Sequence, residues 1–214
     1  MKKNIRHKIR IFLNIFIAAA VLAAWLASMR GEDGVLTAGG LRSLRYFTTL
    51  SNLFAGAAAL VWLAAAAVGR STARWLVRLK YAACCAVLLT FAVVMLFLGP
   101  LYGYRFLLTG PSLWLHMLVP LVAAAELVLL SEEPLTRRDN AFAVLPPIVY
   151  GSAYTANLLI NGVGEYPRTN DWYGFVRWGF PVGIAIFAGI CLAAYLLGML
   201  VRVLNGRLRS APRR

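Results

Sequence analysis

Long apolar runs alternate with short polar connections along the whole chain. Six such runs occur, at about residues 11–29, 46–68, 81–99, 113–130, 141–160 and 175–203. A helix rises about 1.5 Å per residue, so each run can cross the roughly 30 Å of hydrocarbon in a bilayer. The connections are too short for a second folded domain. The pattern therefore predicts an all-α polytopic membrane protein, with residues 1–214 forming a single bundle of six transmembrane helices.

The start of the last run is the least clearly marked. Arg177, Gly179 and Pro181 interrupt its first turns, and proline and glycine both weaken a helix. The first run follows several basic residues and could instead be a signal peptide. Its length, and the poor cleavage sequence at residues 27–29, favour a retained helix.

Composition and charge agree with a membrane protein. Hydrophobic residues make up 61% of the chain and charged residues only 14%. Of the 22 Lys and Arg residues, 16 lie in the N-terminal segment, the second and fourth connections and the C-terminal segment. The positive-inside rule therefore predicts that both termini are cytoplasmic. The residues that give the net charge of +14 follow this topology, and no basic surface interleaved with aromatic residues is left over. We therefore expect the partner to be a lipid bilayer and not a nucleic acid.

Cofactor and metal motifs are not found in the sequence. The chain has no G-x-S-x-G elbow, no H-E-x-x-H helix, and no phosphate-binding or dinucleotide-binding loop. Cys84, Cys85 and Cys191 lie in apolar runs, where a free cysteine is typically a small buried hydrophobe. Two histidines are too few for a multi-histidine site. We predict neither a cofactor nor a bound metal. The Ala- and Arg-rich composition, with no organelle address, favours a bacterial plasma membrane.

Polar side chains at the start of the second run form one helical face. Thr48, Ser51 and Asn52 are spaced i, i+3 and i+4, whereas Thr49 points about 100° away. In the predicted topology the second and fourth helices both run inward from the outer surface. Thr48 and His116 are then at nearly the same depth, in the outer half of the membrane. A hydroxyl and an imidazole at one level are candidates for a nucleophile and its base.

A second polar stripe follows the fifth helix toward the same level. Its members are spaced by four, three and four residues: Tyr150, Tyr154, Asn157 and Asn161. The third and fifth connections add further polar and aromatic residues: Tyr102, Tyr104, Arg105, Glu165, Tyr166, Arg168, Asp171 and Trp172. We predict a polar and aromatic cluster on the outer side that faces the bundle interior, because lipid disfavours such side chains.

Structural interpretations of these residues stay open. Ser, Thr and Asn often join helices in membranes, and Thr48 could cap its helix or bond a carbonyl one turn earlier. His116 could be a packing residue, and tyrosines commonly anchor helices at the interface. Glu126 lies about 15 Å deeper than His116, and we expect a snorkelling or structural carboxylate there and not a direct partner of the histidine. His7 is expected to belong to a solvated basic tail.

Short motifs resemble the androgen-induced protein family and its bacterial six-helix relatives. They are Tyr46-Phe47-Thr48 at the start of helix two, His116 with Pro120 and Glu126 after it, and Gly164-Glu165-Tyr166-Pro167. Eukaryotic members of that family are multi-pass threonine hydrolases that cleave fatty acid esters of hydroxy fatty acids with one Thr and one His. The chain departs from them at Ser51, where those members have an acidic residue, and in the spacing from His116 to Pro120.

The resemblance implies a catalytic pair of Thr48 and His116 and a long-chain lipid ester as substrate. His116 would accept the Thr48 proton as the hydroxyl attacks the ester carbonyl. Substrate contacts, including oxyanion donors, would then come from a set of polar residues: Ser51, Asn52, Tyr154, Asn157 and Asn161. The alternative is a non-enzymatic membrane protein that binds or transports a small lipid. Oligomeric state stays open, although small residues at Gly56, Ala185 and Gly189 would permit close helix packing.

Overall fold

Six long helices form the structure, a computed structural model that describes residues 2–30, 38–165 and 169–210. They are α1 (Lys2–Ser28), α2 (Phe47–Ala67), α3 (Arg74–Tyr102), α4 (Gly110–Leu130), α5 (Asn140–Asn161) and α6 (Phe180–Ser210). Each is long and apolar enough to cross a membrane, and the described residues contain no strand. The prediction of an all-α protein with six candidate membrane-spanning helices is confirmed.

Shorter turns complete the chain. A 3₁₀ turn at Gly40–Arg45 leads into α2, a one-turn helix at Tyr104–Leu107 lies between α3 and α4, and a 3₁₀ turn at Arg137–Asp139 leads into α5. Two of the long helices are not α-helical throughout. Helix α3 contains a π-helical turn at Val94–Leu98, and α4 contains two, at Trp114–Leu118 and Glu126–Leu130.

The predicted spans differ from the helices mainly at the basic ends. Helices α2 and α5 begin and end within a residue of the predicted spans. Helix α1 begins at Lys2 rather than residue 11, and α3 at Arg74 rather than residue 81. Charged side chains in these early turns find partners inside the bundle, so charge alone does not end the helix. Helix α6 starts late, at Phe180, because Gly179 has a φ of 93° that an α-helix cannot include.

Helix α3 occupies the centre of the bundle and packs against α2, α4, α5 and α6, while α1 packs on α2 and α4. The contact between α1, α2, α3 and α4 is built largely from alanine and β-branched residues, including Ile17, Val21, Ala55, Ala59 and Ala83. Small side chains allow the backbones to approach closely, which is the usual basis of helix packing in lipid.

The small residues singled out in the sequence behave differently from one another. Gly56 packs inside the bundle, since a Cβ there would lie 3.3 Å from Val21 Cγ1. Ala185 and Gly189 are both exposed, and no described atom lies within 4 Å of where a Gly189 Cβ would be. Their spacing therefore does not serve packing within this bundle.

Basic residues meet at one end of the bundle, which we call the basic end. Arg6 at the start of α1 donates to the carbonyl of Leu129 near the end of α4, and Arg209 near the end of α6 donates to the carbonyl of Ser131 at 2.9 Å. The start of α1 and the end of α6 therefore lie at the same end. The opposite end, which we call the loop end, carries the turns before α2, before α4 and before α6.

Gly198 lies where α6 crosses α3 and α5. A Cβ at this position would lie 2.5 Å from the Tyr81 hydroxyl and 2.6 Å from Ala143 Cβ, and Ala143 cannot yield without a backbone shift. We expect Gly198→Ala to reduce the free energy of unfolding by about 1–3 kcal/mol through overpacking. Thermal unfolding in detergent measures this loss. Gly189→Ala, which meets no neighbour, is the matched control, and equal melting of the two variants would contradict the packing.

Candidate functional site

Asn52 ties α2 to α4 near the loop end. Its Nδ2 donates to the backbone carbonyl of Thr48 at 2.8 Å and to that of Leu115 at 3.0 Å. The two carbonyl oxygens therefore lie within about 6 Å of each other, because both contact one nitrogen. Leu115 directly precedes His116. The fold thus brings the turn that carries Thr48 beside the turn that carries His116.

The Asn52 side chain also presents an unused acceptor. The residue is 1% exposed, and its Oδ1 is buried with no hydrogen-bond partner among the described residues. Nearly all buried polar atoms in proteins are paired, and an unpaired one commonly marks a place where another polar group is accommodated.

His116 lies in the π-helical turn Trp114–Leu118. Pro120 follows one turn later and has no N–H, so it cannot bond the carbonyl of His116 as an ordinary helical residue would. The wider turn is the local response to this missing bond. Single π-helical turns inside α-helices occur frequently at functional sites.

The His116 ring is oriented by the connection before α4. Its Nδ1 lies 2.7 Å from the backbone carbonyl of Leu107, which can only accept. Nδ1 of a neutral ring therefore carries the proton, and Nε2 keeps its lone pair. The side chain is partly buried. This is the tautomer that a general base using Nε2 requires.

Thr48 is partly buried, and its hydroxyl has no hydrogen-bond partner within the described part of the chain. No hydrogen bond joins it to His116 there. Thr49, expected to point elsewhere, is indeed on another face of α2 but is itself buried, at 8% exposure. Thr48 thus carries an unbonded hydroxyl next to the α2–α4 contact.

Ser51 makes a helix contact. It shares a hydrogen bond of 3.0 Å with the hydroxyl of Thr90 on α3 and lies 3.1 Å from the carbonyl of Thr48. Ser51 is buried, at 3% exposure. The structural interpretation of Ser51 as a polar link between helices therefore describes what the side chain does in this structure.

Tyrosines of α5 pack into an aromatic cluster at the loop end. Its rings are those of Tyr46, Phe47, Tyr150, Tyr154, Trp172, Tyr173 and Phe175, which meet at centroid distances of 4.8–6.3 Å. The Tyr150 hydroxyl donates to the Arg45 carbonyl at 2.6 Å, and the Phe47 N–H donates to the Tyr173 hydroxyl at 2.9 Å. The cluster therefore fixes the start of α2, one residue before Thr48.

Asp171 organises the connection that supplies this cluster. Its carboxylate accepts hydrogen bonds from the Tyr154 hydroxyl and from the backbone N–H groups of Phe175, at 2.8 Å, and Val176, at 3.1 Å. The Tyr173 hydroxyl lies among the other rings, and this desolvation raises the pKa of Tyr173 well above its ordinary value. Tyr173 therefore stays protonated and neutral at physiological pH.

The remaining predicted substrate contacts lie farther along α5. Asn157 is partly buried and Asn161 is exposed, and Asn161 Nδ2 donates to Asn157 Oδ1 at 2.9 Å. No hydrogen bond connects either to Thr48, Ser51 or Asn52 in the described residues. Tyr154, by contrast, is 5% exposed and belongs to the aromatic cluster.

Residues from the other predicted connections are mostly outside the cluster. Tyr102 and Tyr104 are 49% and 46% exposed, and the Tyr104 ring covers Gly99 instead. Arg105 and Glu165 are exposed. Tyr166 and Arg168 lie outside the described residues, as does Pro167 of the family-like motif.

Charged residues are buried together near the basic end. Glu126 is fully buried, with Oε1 2.5 Å from Arg10 Nε and Oε2 3.1 Å from Lys80 Nζ. Lys80 also donates to Asn14 at 2.6 Å, and the Arg10 guanidinium lies 4.5 Å from the centroid of the Trp62 ring. Glu126 is thus paired within the bundle and does not contact His116.

The prediction that the basic N-terminal segment is a solvated tail is wrong. Arg10 is 3% exposed, and His7 is partly buried with its ring 6.0 Å from that of Trp62. Both residues are on α1, which continues through the basic segment. The signal missed in the sequence was Glu126, the acidic partner 116 residues away from Arg10.

In the described ranges, no group of three His, Cys, Asp or Glu residues is placed to bind a metal ion. The three cysteines are free thiols, with Cys84 and Cys85 buried and Cys191 partly exposed. The bundle thus presents one polar site at the loop end and charged clusters at the basic end.

Comparison with known proteins finds no matching family model, no matching curated protein and no matching solved structure. The resemblance to the androgen-induced protein family therefore stays a prediction carried by the short motifs. What the chain can do has to be inferred from its own residues.

Proposed function

We propose that this protein is an intramembrane hydrolase of long-chain lipid esters, with Thr48 as nucleophile and His116 as general base. The observation that supports this most directly is the Asn52 bridge. By bonding the carbonyls of Thr48 and Leu115, it places a free threonine hydroxyl beside the turn that carries the histidine. The short motifs that resemble those of the androgen-induced protein family point to the same two residues.

The reaction follows from the atoms available. His116 Nε2 takes the Thr48 proton as Oγ1 attacks the ester carbonyl, and it then returns that proton to the departing alcohol, leaving an acyl-threonine. A water molecule, deprotonated by the same nitrogen, then attacks the acyl group; the bond to Thr48 Oγ1 breaks, Nε2 returns the proton to that oxygen, and the fatty acid is released. The Leu107 carbonyl holds the ring in the required tautomer throughout.

Stabilisation of the oxyanion has to come from donors that are not already engaged. Both N–H groups of Asn52 are used on backbone carbonyls, and Ser51 is bonded within the bundle. Among the predicted donors, Asn157 and Asn161 keep N–H groups that no described residue accepts. Asn52 instead offers its unpaired Oδ1, which a hydroxyl of the substrate or the attacking water would satisfy.

A non-enzymatic lipid-binding protein is the second candidate. The hydrogen bonds that Ser51 and Asn52 already make within the bundle favour this candidate, since they are typical of polar residues that hold membrane helices together. In that case the unpaired Asn52 Oδ1 and the aromatic cluster would bind a lipid without turning it over. The two candidates share a ligand class and differ only in whether a covalent acyl-threonine forms.

Turnover of a defined ester panel distinguishes them. Purified protein in detergent is incubated with long-chain wax-type esters, fatty acid esters of hydroxy fatty acids, and glycerolipids, and released fatty acid is measured by mass spectrometry. The hydrolase proposal expects release from at least one long-chain ester. Binding of these lipids without release of acid would favour the second candidate.

We further propose that the basic end faces the cytoplasm of a bacterial plasma membrane, because 16 of the 22 Lys and Arg residues lie in the segments at that end. Alkaline phosphatase, which is active only outside the cytoplasm, is expected to be inactive when fused after residue 209 and active when fused in the connection at residue 108. Fluorescent protein fusions should show the reverse. An active phosphatase after residue 209 would contradict the orientation.

A further inference from the structure

A shallow, open cavity of about 470 Å³ lies at the basic end, between the start of α3 and the connection before α5. Five side chains line it: Arg74, Arg78, Thr136, Arg137 and Arg138. It is at the opposite end of the bundle from Thr48 and His116. Nothing about it therefore depends on the proposed hydrolysis.

Asp139 gives this cavity a fixed framework. Its carboxylate is fully buried and accepts from Arg74 and from Arg78 Nε, the latter at 3.1 Å. The backbone N–H and the hydroxyl of Thr136 bond the same carboxylate at 2.7 and 2.8 Å. Arg74 also donates to the Pro134 carbonyl at 2.6 Å. Two guanidinium groups are thus held in place, rather than moving freely in solvent.

The cavity has an excess of positive charge. Four guanidinium groups line it, and Asp139 is the one carboxylate that pairs with any of them in the described ranges. Glu132 and Glu133, in the same connection, do not line it. Arg137 and Arg138 are exposed and form no ion pair with a described residue. A site with preset cations and no facing carboxylate favours an anion.

The position of the cavity indicates where that anion comes from. Arg74 is the first residue of α3, and Arg137 begins the 3₁₀ turn that leads into α5. Both therefore lie where membrane-spanning helices emerge from the hydrocarbon, at the level of lipid headgroups. The Arg78 guanidinium lies 5.2 Å from the centroid of the Phe142 ring on α5, so the cavity borders the apolar part of the bundle.

We propose that this cavity binds the phosphate group of an anionic lipid headgroup. Planar guanidinium groups match the oxygens of a phosphate through paired hydrogen bonds, and basic pockets between transmembrane helices are suited to such headgroups. The Thr136 hydroxyl lines the same cavity. Inorganic phosphate shares this chemistry, and the lipid is favoured by the location at the membrane boundary.

The test uses the full chain in detergent micelles and a fluorescently labelled phosphatidylglycerol, with binding followed by anisotropy. Labelled phosphatidylcholine, a zwitterion, is the comparison lipid. The variant is Arg137→Gln with Arg138→Gln, since neither side chain supports Asp139. The control, Arg70→Gln with Arg207→Gln, removes two exposed arginines from the same end without touching the cavity. Melting temperatures establish that both variants fold.

We expect the native chain to bind phosphatidylglycerol more tightly than phosphatidylcholine, and the Arg137/Arg138 variant to bind it at least about tenfold more weakly. The control variant should bind within about twofold of the native chain. Equal weakening in both variants would show only general charge attraction, and no weakening in either would exclude the site. Displacement of the labelled lipid by millimolar inorganic phosphate would overturn the proposal of a lipid ligand and indicate that the cavity binds free phosphate instead.

Discussion

Replacing Glu126 by alanine is expected to cost about 3–5 kcal/mol of folding free energy. Glu126 is fully buried between Arg10 and Lys80, which are 3% and 4% exposed. Removing it leaves two cations buried in an apolar bundle with no anion facing them. We expect a much lower melting temperature in detergent, or failure to accumulate in the membrane.

Two comparisons separate this effect from a general sensitivity to charge. Glu133→Ala removes a partly exposed carboxylate that pairs with no described residue, and it should melt close to the native chain. A triple variant that replaces Arg10, Lys80 and Glu126 by Met, Met and Leu should recover most of the lost stability, because well-packed apolar groups often replace a buried ion cluster without loss. A Glu126→Ala variant as stable as Glu133→Ala would contradict the buried pairing.

Replacing Thr48 by valine is expected to abolish lipid ester hydrolysis, with a loss of at least about 10³-fold in kcat. Valine keeps the shape of threonine but lacks the oxygen that would carry the acyl group. His116→Ala removes the base and should cause a loss of similar size, and the double variant should be no worse than either single one, since the two groups act in the same step.

Thr49→Val is the matched control for this pair. It makes the same chemical change one residue along α2, on a buried face that has no part in the proposed reaction. It should retain turnover, and Thr48→Ser, which keeps a hydroxyl, should retain a measurable part of it. Equal turnover in Thr48→Val and Thr49→Val would show that Thr48 is not the nucleophile.

Much of the fold could be predicted from the sequence because hydrocarbon imposes strong rules. A run of about 20 apolar residues has few options other than a spanning helix, and α2 and α5 accordingly match the predicted spans. The starts of α1 and α3 could not be found this way. Arg10 and Lys80 resemble residues outside the membrane until Glu126, distant in sequence, is placed between them.

The candidate site can be predicted from the sequence only in part. Helical spacing placed Thr48, Ser51 and Asn52 on one face, and topology placed His116 at a similar depth. Spacing cannot reveal which partner each polar group selects. Ser51 bonds Thr90 on α3, and Asn52 bonds the Leu115 carbonyl on α4, whereas both are predicted from the sequence as substrate contacts. Such choices depend on the rotation of each helix about its axis, which only packing determines.

The basic end shows the same limit. In the sequence, topology alone accounts for the arginines of the second and fourth connections, and the positive-inside rule requires no contact between them. The structure brings Arg74 and Arg78 onto the buried carboxylate of Asp139. The arginines from which the sequence predicts the orientation in the membrane thus also form a specific cavity.

The most direct test of the central claim is the site of covalent labelling by a lipid-like fluorophosphonate, mapped by peptide mass spectrometry in isolated membranes. The phosphonate would be attacked by the same oxygen that attacks an ester. The account predicts an adduct on Thr48 in the native chain and in Thr49→Val, and its loss in His116→Ala. Labelling that is absent from Thr48, or that persists unchanged in His116→Ala, would contradict the Thr48–His116 mechanism.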